Sequence, residues 1–217
     1  MPVIKEIKFS EGILFIWKWT ESSDHLKEKY PEYKKSKEFL KIKSSGRQKE
    51  WITTRLILKS FCPYVVQFYH DNNGKPIIKS SDYSHISISH SKNMAGIFLT
   101  KKSPVGIDIE NSKRNFARVT KKYLSKEELL LAQSIANGLA LFWCIKEAAF
   151  KISENKASDY IKQIKITADN EKRLSVEILT DRVSYPVHYF TIDDEIVVYL
   201  TKENHHFSLS LPLNNKR

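Results

Sequence analysis

The stretch Gly106-Ile107-Asp108-Ile109-Glu110 alternates apolar and acidic residues, which is typical of a β-strand with one face in a core. Alternate side chains of a strand lie on the same face, so Ile107 and Ile109 should face the core while Asp108 and Glu110 share the opposite face. Two carboxylates on one face repel each other, and a hard divalent cation such as Mg²⁺ would relieve that repulsion. The alternative is an ordinary edge strand that ends in solvated acidic residues.

Strand and helix patterns extend from this stretch in both directions. Segments rich in β-branched and aromatic residues predict strands at residues 3–9, 13–19, 64–69, 86–89, 95–99, 105–109, 161–166, 175–179, 185–192, 195–201 and 206–211. Helices are predicted at residues 44–61 and 138–152, and after the capping box formed by Ser125 and Glu128. Strands followed by helices, twice over, predict an α+β chain of two similar halves, residues 1–103 and 104–217.

The composition excludes several classes of protein. The chain has 217 residues, of which 41% are hydrophobic and 12% aromatic, so it can build a sizeable core and is not expected to be disordered. Its two cysteines, Cys62 and Cys144, lie far apart, which excludes a disulfide framework and fits a reducing compartment. Residues 1–20 carry several charges, and the longest apolar stretch is far shorter than the ~20 residues of a membrane-spanning helix. We therefore expect a cytoplasmic protein without a signal peptide or membrane anchor.

The positive charge is concentrated in the N-terminal half. The formal net charge is +11, and residues 27–59 alone hold 11 Lys and Arg against 4 Glu, for a local charge of +7. Such a field attracts anions, which leaves a nucleic acid, a phosphate-rich small molecule or an acidic protein as candidate partners. The alternative is a lysine-rich helix surface that is simply solvated.

The predicted helix at residues 138–152 carries a second charged motif. Glu147 and Lys151 are one helical turn apart on the same face, and Trp143 lies one turn before Glu147. An ordinary surface ion pair has this spacing too. Here, however, the helix is hydrophobic and has aromatic residues around the pair, and partly buried charges need partners or a ligand. A carboxylate for a metal beside a lysine for a phosphate would form one face of an active site.

Two further segments carry polar groups that can bind phosphate. Ser89 and His90 close the predicted strand at residues 86–89, although a hydrogen-bonded turn histidine is the more common role of such a residue. Residues 71–76 are almost all turn-forming, which places Lys75 near the tip of a loop.

Together these segments resemble the phosphopantetheinyl transferases, specifically the longer surfactin-type class. The resemblance rests on Gly74-Lys75-Pro76, Ser89-His90-Ser91, residues 106–110 and residues 143–151, which occur in the family's order and approximate spacing between residues 47 and 151. It implies two α/β subdomains related by a pseudo-two-fold axis in a monomer. Each subdomain would be an antiparallel sheet packed with helices, and the active site would lie at their interface.

The resemblance also implies roles for individual residues. Asp108, Glu110 and Glu147 match the acidic ligands that hold Mg²⁺ against the pyrophosphate of coenzyme A, and Lys151 matches the lysine on that phosphate chain. Residues matching the contacts to the adenosine 3′-phosphate portion are Lys75, Ser89 and His90. Further cationic contacts are expected from the region that contains Lys43, Arg47 and Arg55. Lys146 and Glu128 match recurrent positions without an assigned role.

The implied reaction moves 4′-phosphopantetheine from coenzyme A to a serine of an apo acyl or peptidyl carrier protein, which is holo-[acyl-carrier-protein] synthase activity. Carrier proteins are generally acidic, so the basic field would suit them as well as coenzyme A. Both Glu147 and a water on the metal remain candidates for the general base. The alternative is a non-catalytic module that binds nucleic acid or carrier proteins. It would not need the carboxylates, and we expect neither a nucleic acid nor a membrane as partner.

Overall fold

The computed structural model describes residues 3–61, 65–71, 74–80, 82–153 and 159–202. The strands within these residues are β1 Val3–Lys8, β2 Gly12–Lys18, β3 Val65–His70, β4 Pro76–Ser80, β5 His85–His90, β6 Met94–Thr100, β7 Gly106–Asn111, β8 Ile164–Ala168, β9 Leu174–Ile178, β10 Val183–Pro186, β11 His188–Ile192 and β12 Glu195–Leu200. The α-helices are α1 Ser23–Lys29, α2 Lys37–Leu40, α3 Ser45–Phe61, α4 Lys126–Gln133, α5 Gly138–Ile152 and α6 Tyr160–Gln163, with 3₁₀ helices at Pro31–Lys35 and Ala117–Lys122. The mixture of helices with antiparallel sheets confirms the α+β class.

Before residue 103, an antiparallel sheet in the order β1-β2-β6-β5 packs against helix α3. Phe15, Trp17 and Ile97 of the sheet form one core with Ile52 and Ile57 of α3, and all five side chains are fully or almost fully buried. The hairpin β3-β4 forms a separate two-stranded sheet next to β5. Because the apolar face of α3 packs against the sheet, the polar face of this helix lies at the surface.

After residue 103, the long helix α5 packs on two three-stranded sheets, β11-β12-β7 and β10-β9-β8. Its apolar side chains, among them Leu141 and Ile145, are buried with Ile196 of β12 and Ile166 of β8. Because α5 lies directly over β7, the charged end of the helix comes next to the acidic residues of that strand.

A third core cluster joins these two parts of the chain. Ile107 and Ile109 are buried with Leu14, Ile16 and Phe98 of the first sheet, so the apolar face of β7 covers that sheet. This is the arrangement that the alternating sequence of β7 predicts. The acidic face of the strand therefore points the other way, toward α5.

Serine side chains also connect β7 to β5. Ile107 N donates to Ser87 Oγ at 3.1 Å, and Ile109 N donates to Ser89 Oγ at 3.2 Å. Ser87 and Ser89 are both buried, so these bonds supply partners for backbone groups that water does not reach. Side-chain hydroxyls thus take the place of a backbone ladder between the two strands.

Strand β7 passes close to helix α5 at Gly106. A Cβ atom at this residue would lie 2.2 Å from the carbonyl oxygen of Ala148, so only glycine allows this approach. The first residue of the acidic motif therefore sets the distance between β7 and helix α5.

The sequence-based predictions of two strands were partly wrong. Residues 161–163 belong to the short helix α6, because the side chain of Asp159 accepts hydrogen bonds from Ile161 N and Lys162 N and caps a helical turn. The predicted strand at residues 185–192 is two strands in different sheets, since β10 pairs with β9 and β11 with β12. Pro186 ends β10 and has no N–H to continue the ladder.

The predicted strand at residues 206–211 lies outside the described residues. Within the described part of the chain, no helix is long and apolar enough to cross a membrane.

Candidate active site

A cleft of about 820 Å³ lies between helix α3, the hairpin β3-β4 and strand β5, and reaches the end of α5. Among the described residues that line it, Glu38 and Glu50 are acidic and the larger number of charged residues are basic. The basic lining residues are Lys41, Arg47, Arg55, Lys75 and Lys151. The cleft therefore joins the basic segment of the sequence to the Lys151 end of the second motif. Lys43 is exposed and stands outside this lining.

Arg55 is held rigidly in the wall of the cleft. Its guanidinium carbon lies 3.3 Å from the centre of the Trp51 ring, and Nη2 lies 2.8 Å from Glu38 Oε2. Burial lowers the pKa of Arg55 to about 10, with Glu38 acting in the opposite direction, so the side chain is still cationic at neutral pH. A guanidinium held over an aromatic ring and bonded to a carboxylate presents its remaining donors in a fixed position.

The other predicted anion-binding residues of the cleft are more accessible. His90 Nε2 lies 3.0 Å from Glu50 Oε2 at the end of β5, and both side chains line the cleft. Lys75 is exposed, and its backbone N–H donates to Asp71 Oδ1 at 2.9 Å. Arg47 is exposed near the start of α3. The structure therefore brings Arg47, Arg55, Lys75 and His90 to one cavity, whereas Ser89 is buried behind its wall.

Lys151 links the cleft to the carboxylates of β7. Its Nζ lies 2.8 Å from Asp108 Oδ1 and 3.0 Å from the carbonyl oxygen of Ile107. Ser89 Oγ also donates to Asp108 Oδ1, at 2.8 Å. Asp108 Oδ2 is buried and has no hydrogen-bond partner among the described residues.

Glu110 accepts hydrogen bonds from an arginine and from a tryptophan. Its Oε1 accepts from Arg114 Nη1 at 2.7 Å and from Trp143 Nε1 at 3.0 Å. Burial raises the pKa of Glu110, and the negative charge of Asp108 raises it further, while the hydrogen bond from Arg114 opposes the shift.

Glu147 accepts a hydrogen bond from the hydroxyl of Tyr160, with Oε1 2.9 Å from the phenol oxygen. Burial raises the pKa of Glu147, and the charge of Asp108 adds to the effect. Burial also raises the pKa of Tyr160, and the charge of Glu147 acts in the same direction. The phenol is therefore a stable neutral donor.

The three carboxylates fit a divalent cation by their chemistry, although each faces a protein donor. Within the described residues, no group of three or more His, Cys, Asp and Glu stands in metal-ligand geometry. Asp108 nevertheless has an unpartnered buried oxygen, and its charge disfavours ionisation of both Glu110 and Glu147. A cation that accepts oxygen ligands would satisfy that oxygen and relieve the repulsion.

Lys146 has a structural position one residue before Glu147. It is fully buried, its Nζ lies 2.7 Å from Glu128 Oε1, and it donates to the carbonyl oxygens of Tyr160 and Ile164. Glu128 also accepts from Ser125 N at 2.8 Å, which completes the predicted capping box, and from Ile166 N at 2.8 Å. This pair fixes α4, α5 and the start of β8 relative to one another.

Sequence reasoning missed Tyr160 and Arg114 as partners of the acidic residues. Arg114 had a detectable signal, because it follows Glu110 at a spacing of four residues. Tyr160 had none, since its proximity to Glu147 depends on how the chain returns after α5.

Comparison with known proteins finds a family match in the second part of the chain. Residues 104–208 match the family described as the 4′-phosphopantetheinyl transferase superfamily. A curated relative, the 4′-phosphopantetheinyl transferase psf-1 of Bacillus pumilus, is 32% identical over 91 residues, which cover 40% of this chain and 39% of that protein. The chain thus matches about two fifths of the length of this relative. The family match contains Asp108, Glu110, Glu147 and Lys151. Both matches confirm the resemblance to the 4′-phosphopantetheinyl transferase superfamily, which the family match places in residues 104–208, just under half of the chain.

Proposed function

We propose that this protein transfers the 4′-phosphopantetheine group of coenzyme A to a serine hydroxyl of an apo carrier protein. The serine oxygen forms a bond to the phosphorus that bears the pantetheine arm. The bond from that phosphorus to the bridging oxygen of the pyrophosphate breaks, and adenosine 3′,5′-bisphosphate leaves. The proton of the serine passes to a base in the site.

The observation that carries this proposal is the shared position of Lys151. It lines the basic cleft and lies 2.8 Å from Asp108 in the part of the chain that matches the family. A polyphosphate bound in the cleft would therefore end beside the carboxylates of β7 and α5. Phosphoryl transfer depends mainly on positioning and charge neutralisation, which such a site supplies.

Residues of the cleft have distinct roles in the proposal. Arg55, Arg47, Lys75 and His90 hold the adenosine 3′-phosphate portion, and Lys151 contacts the pyrophosphate. Arg55 is already oriented by Trp51 and Glu38, so less conformational entropy is lost on binding.

Asp108, Glu110 and Glu147 are the residues that would hold Mg²⁺. When bound, the ion would neutralise charge on the pyrophosphate oxygens. Of the three, Glu147 is also a candidate to accept the serine proton, and a water held by the metal would be the other candidate. Tyr160 holds the Glu147 carboxylate in place through its hydroxyl.

The second substrate fits the charge of the N-terminal half. Residues 27–59 carry a net +7, and a field of this sign steers an acidic carrier toward the cleft. We also propose a monomer, in which residues 1–103 and 104–217 act as two halves of one site. The buried thiol of Cys144 is compatible with the reducing cytoplasm as its location.

The test is to measure adenosine 3′,5′-bisphosphate by chromatography after incubation with coenzyme A, Mg²⁺ and several apo carrier proteins. We expect release of one equivalent for each carrier molecule modified, and no release when the carrier is left out. Equal release without carrier would show hydrolysis of coenzyme A instead, and no release with any carrier would overturn the proposal. Tight binding to nucleic acid that weakens steeply with salt would support the alternative module.

A further inference from the structure

The hydroxyl of Ser89 is committed to two groups of β7. It donates to Asp108 Oδ1 at 2.8 Å and accepts from Ile109 N at 3.2 Å, and the side chain is 5% exposed. A serine hydroxyl has only one hydrogen to donate. Ser89 therefore has no donor left for a phosphate oxygen, although the resemblance implies such a contact for this position.

We propose that Ser89 is instead a positioning residue for Asp108, a role that rests on the proposed function. It fixes one oxygen of the carboxylate so that the other oxygen, Asp108 Oδ2, stays available to the cation. The backbone N–H of Ile109 holds the serine hydroxyl in the orientation that this requires.

The two donors to Asp108 differ in how firmly they are held. Lys151 and Ser89 both bind Oδ1, which leaves Oδ2 without a partner among the described residues. Lys151 has a flexible side chain, about a quarter of which is exposed in the cleft, so it can turn toward a bound pyrophosphate. Ser89 is buried and hydrogen-bonded at both its donor and acceptor positions, so it stays on Asp108 when Lys151 moves.

An unpartnered buried carboxylate oxygen is costly, and this cost supports the same conclusion. Leaving a buried polar group unsatisfied destabilises a protein unless a ligand binds it. Two strong donors hold Oδ1, whereas the buried Cys144 thiol, which also lies against the Asp108 carboxylate, is a weak donor, and this is consistent with a site that is completed by a cation.

Ser87 provides a matched control within the same strand. It is as buried as Ser89, at 3% exposed, and it accepts from Ile107 N at 3.1 Å in the same way. Asp108, however, bonds to Ser89 and not to Ser87 in the described contacts. Removing either hydroxyl deletes one bond to a backbone N–H of β7, but only the change at Ser89 also deletes a bond to the Asp108 carboxylate.

The experiment compares Ser89→Ala, Ser87→Ala and Ser89→Thr with the unaltered protein. Thermal unfolding measures the bond between the strands, Mn²⁺ binding followed by electron paramagnetic resonance measures the metal site without turnover, and calorimetry in chelator measures metal-free coenzyme A binding. We expect both alanine variants to lose Tm, with the larger loss in Ser89→Ala because it removes two hydrogen bonds to β7 instead of one. Only Ser89→Ala should weaken Mn²⁺ binding, by about tenfold because a hydrogen bond to an ionised group is lost, and Ser89→Thr should restore it.

Metal-free coenzyme A affinity should be unchanged in Ser89→Ala. Weakened coenzyme A binding with normal Mn²⁺ affinity would overturn the inference, because Ser89 would then be a cofactor contact. Equal Mn²⁺ affinity in both alanine variants would overturn it too, since the hydroxyl would only join the strands. Because Mn²⁺ binding needs no turnover, these outcomes are independent of whether the unaltered protein modifies a carrier.

Discussion

Lys151 Nζ lies 2.8 Å from Asp108 Oδ1 and 3.0 Å from the carbonyl oxygen of Ile107, so the last turn of α5 is bonded to strand β7. The same lysine lines the basic cleft. The Lys151 side chain thus contacts the Asp108 carboxylate and also lines the cleft that is proposed to bind the phosphates.

Replacing Lys151 should therefore affect the reaction more than the fold. We expect Lys151→Met to lower kcat by about 10²–10³-fold, because a preorganised cation next to the reacting phosphate is lost. Lys151→Arg, which keeps the charge, should retain more activity, and the exposed Lys165→Met should behave as the unaltered protein. Steady-state kinetics with an apo carrier measures the effect, and a kcat within twofold for Lys151→Met would contradict it.

Metal dependence should follow Asp108. We expect chelation to abolish transfer and Mg²⁺ to restore it, and we expect Mg²⁺ with coenzyme A to raise the Tm by binding only the folded protein. Asp108→Asn keeps the shape of the side chain but removes its charge, so this increase in Tm should largely disappear. Differential scanning fluorimetry gives the answer, and an unchanged Mg²⁺ effect in Asp108→Asn would exclude this residue as a ligand.

The 3′-phosphate contact can be tested at Lys75. We expect Lys75→Ala to weaken coenzyme A binding by about 10-fold, since a charge-assisted hydrogen bond is lost. Dephospho-coenzyme A, which lacks the 3′-phosphate, should bind both proteins equally. Calorimetry gives the affinity of each of the two proteins for each of the two ligands, and these four values form a complete thermodynamic cycle. Equal weakening for both ligands would place Lys75 elsewhere along the cofactor.

The close approach at Gly106 predicts a large effect from a single methyl group. Gly106→Ala would place Cβ 2.2 Å from the Ala148 carbonyl oxygen, and we expect a loss of about 1–3 kcal/mol in the free energy of unfolding together with reduced activity. Gly46→Ala in α3 is the matched control, because its nearest heavy atom is 3.7 Å away and alanine favours a helix. Urea unfolding should separate the two variants, and equal stabilities would refute the packing argument.

The buried pair Lys146–Glu128 should be structural. Removing one member leaves a buried charge without its partner, so Lys146→Met and Glu128→Gln should each lower the free energy of unfolding by about 3–5 kcal/mol. The double variant should be more stable than the sum of the single changes predicts, because no unpaired charge remains. Additive losses in urea unfolding would show that the two residues act independently.

The sequence predicted the elements whose local signals are strong. Helix α5 begins and ends at the predicted residues, the capping box at Ser125 is present, and the alternation in β7 places Ile107 and Ile109 in a core. The strand predictions were wrong where a single residue interrupts an otherwise continuous pattern of apolar residues. Pro186 splits an apparently continuous strand between two sheets, and Asp159 converts the start of another into a helical turn.

The sequence indicated candidate residues for the site, but it did not indicate which of them contact one another. Motifs identified Asp108, Glu110, Glu147 and Lys151, yet the sequence indicated neither that Tyr160 would reach Glu147 nor that Ser89 would donate to Asp108. These contacts join residues that are 13 and 19 positions apart, and they depend on tertiary packing, for which neither periodicity nor composition carries a signal.

Transfer of phosphopantetheine should be visible in the intact mass of an apo carrier protein, measured before and after incubation with this protein, coenzyme A and Mg²⁺. We expect a gain of one phosphopantetheine group on the carrier, and no gain on the same carrier with its acceptor serine changed to alanine. An unchanged mass for carriers that another phosphopantetheinyl transferase modifies under the same conditions would contradict it.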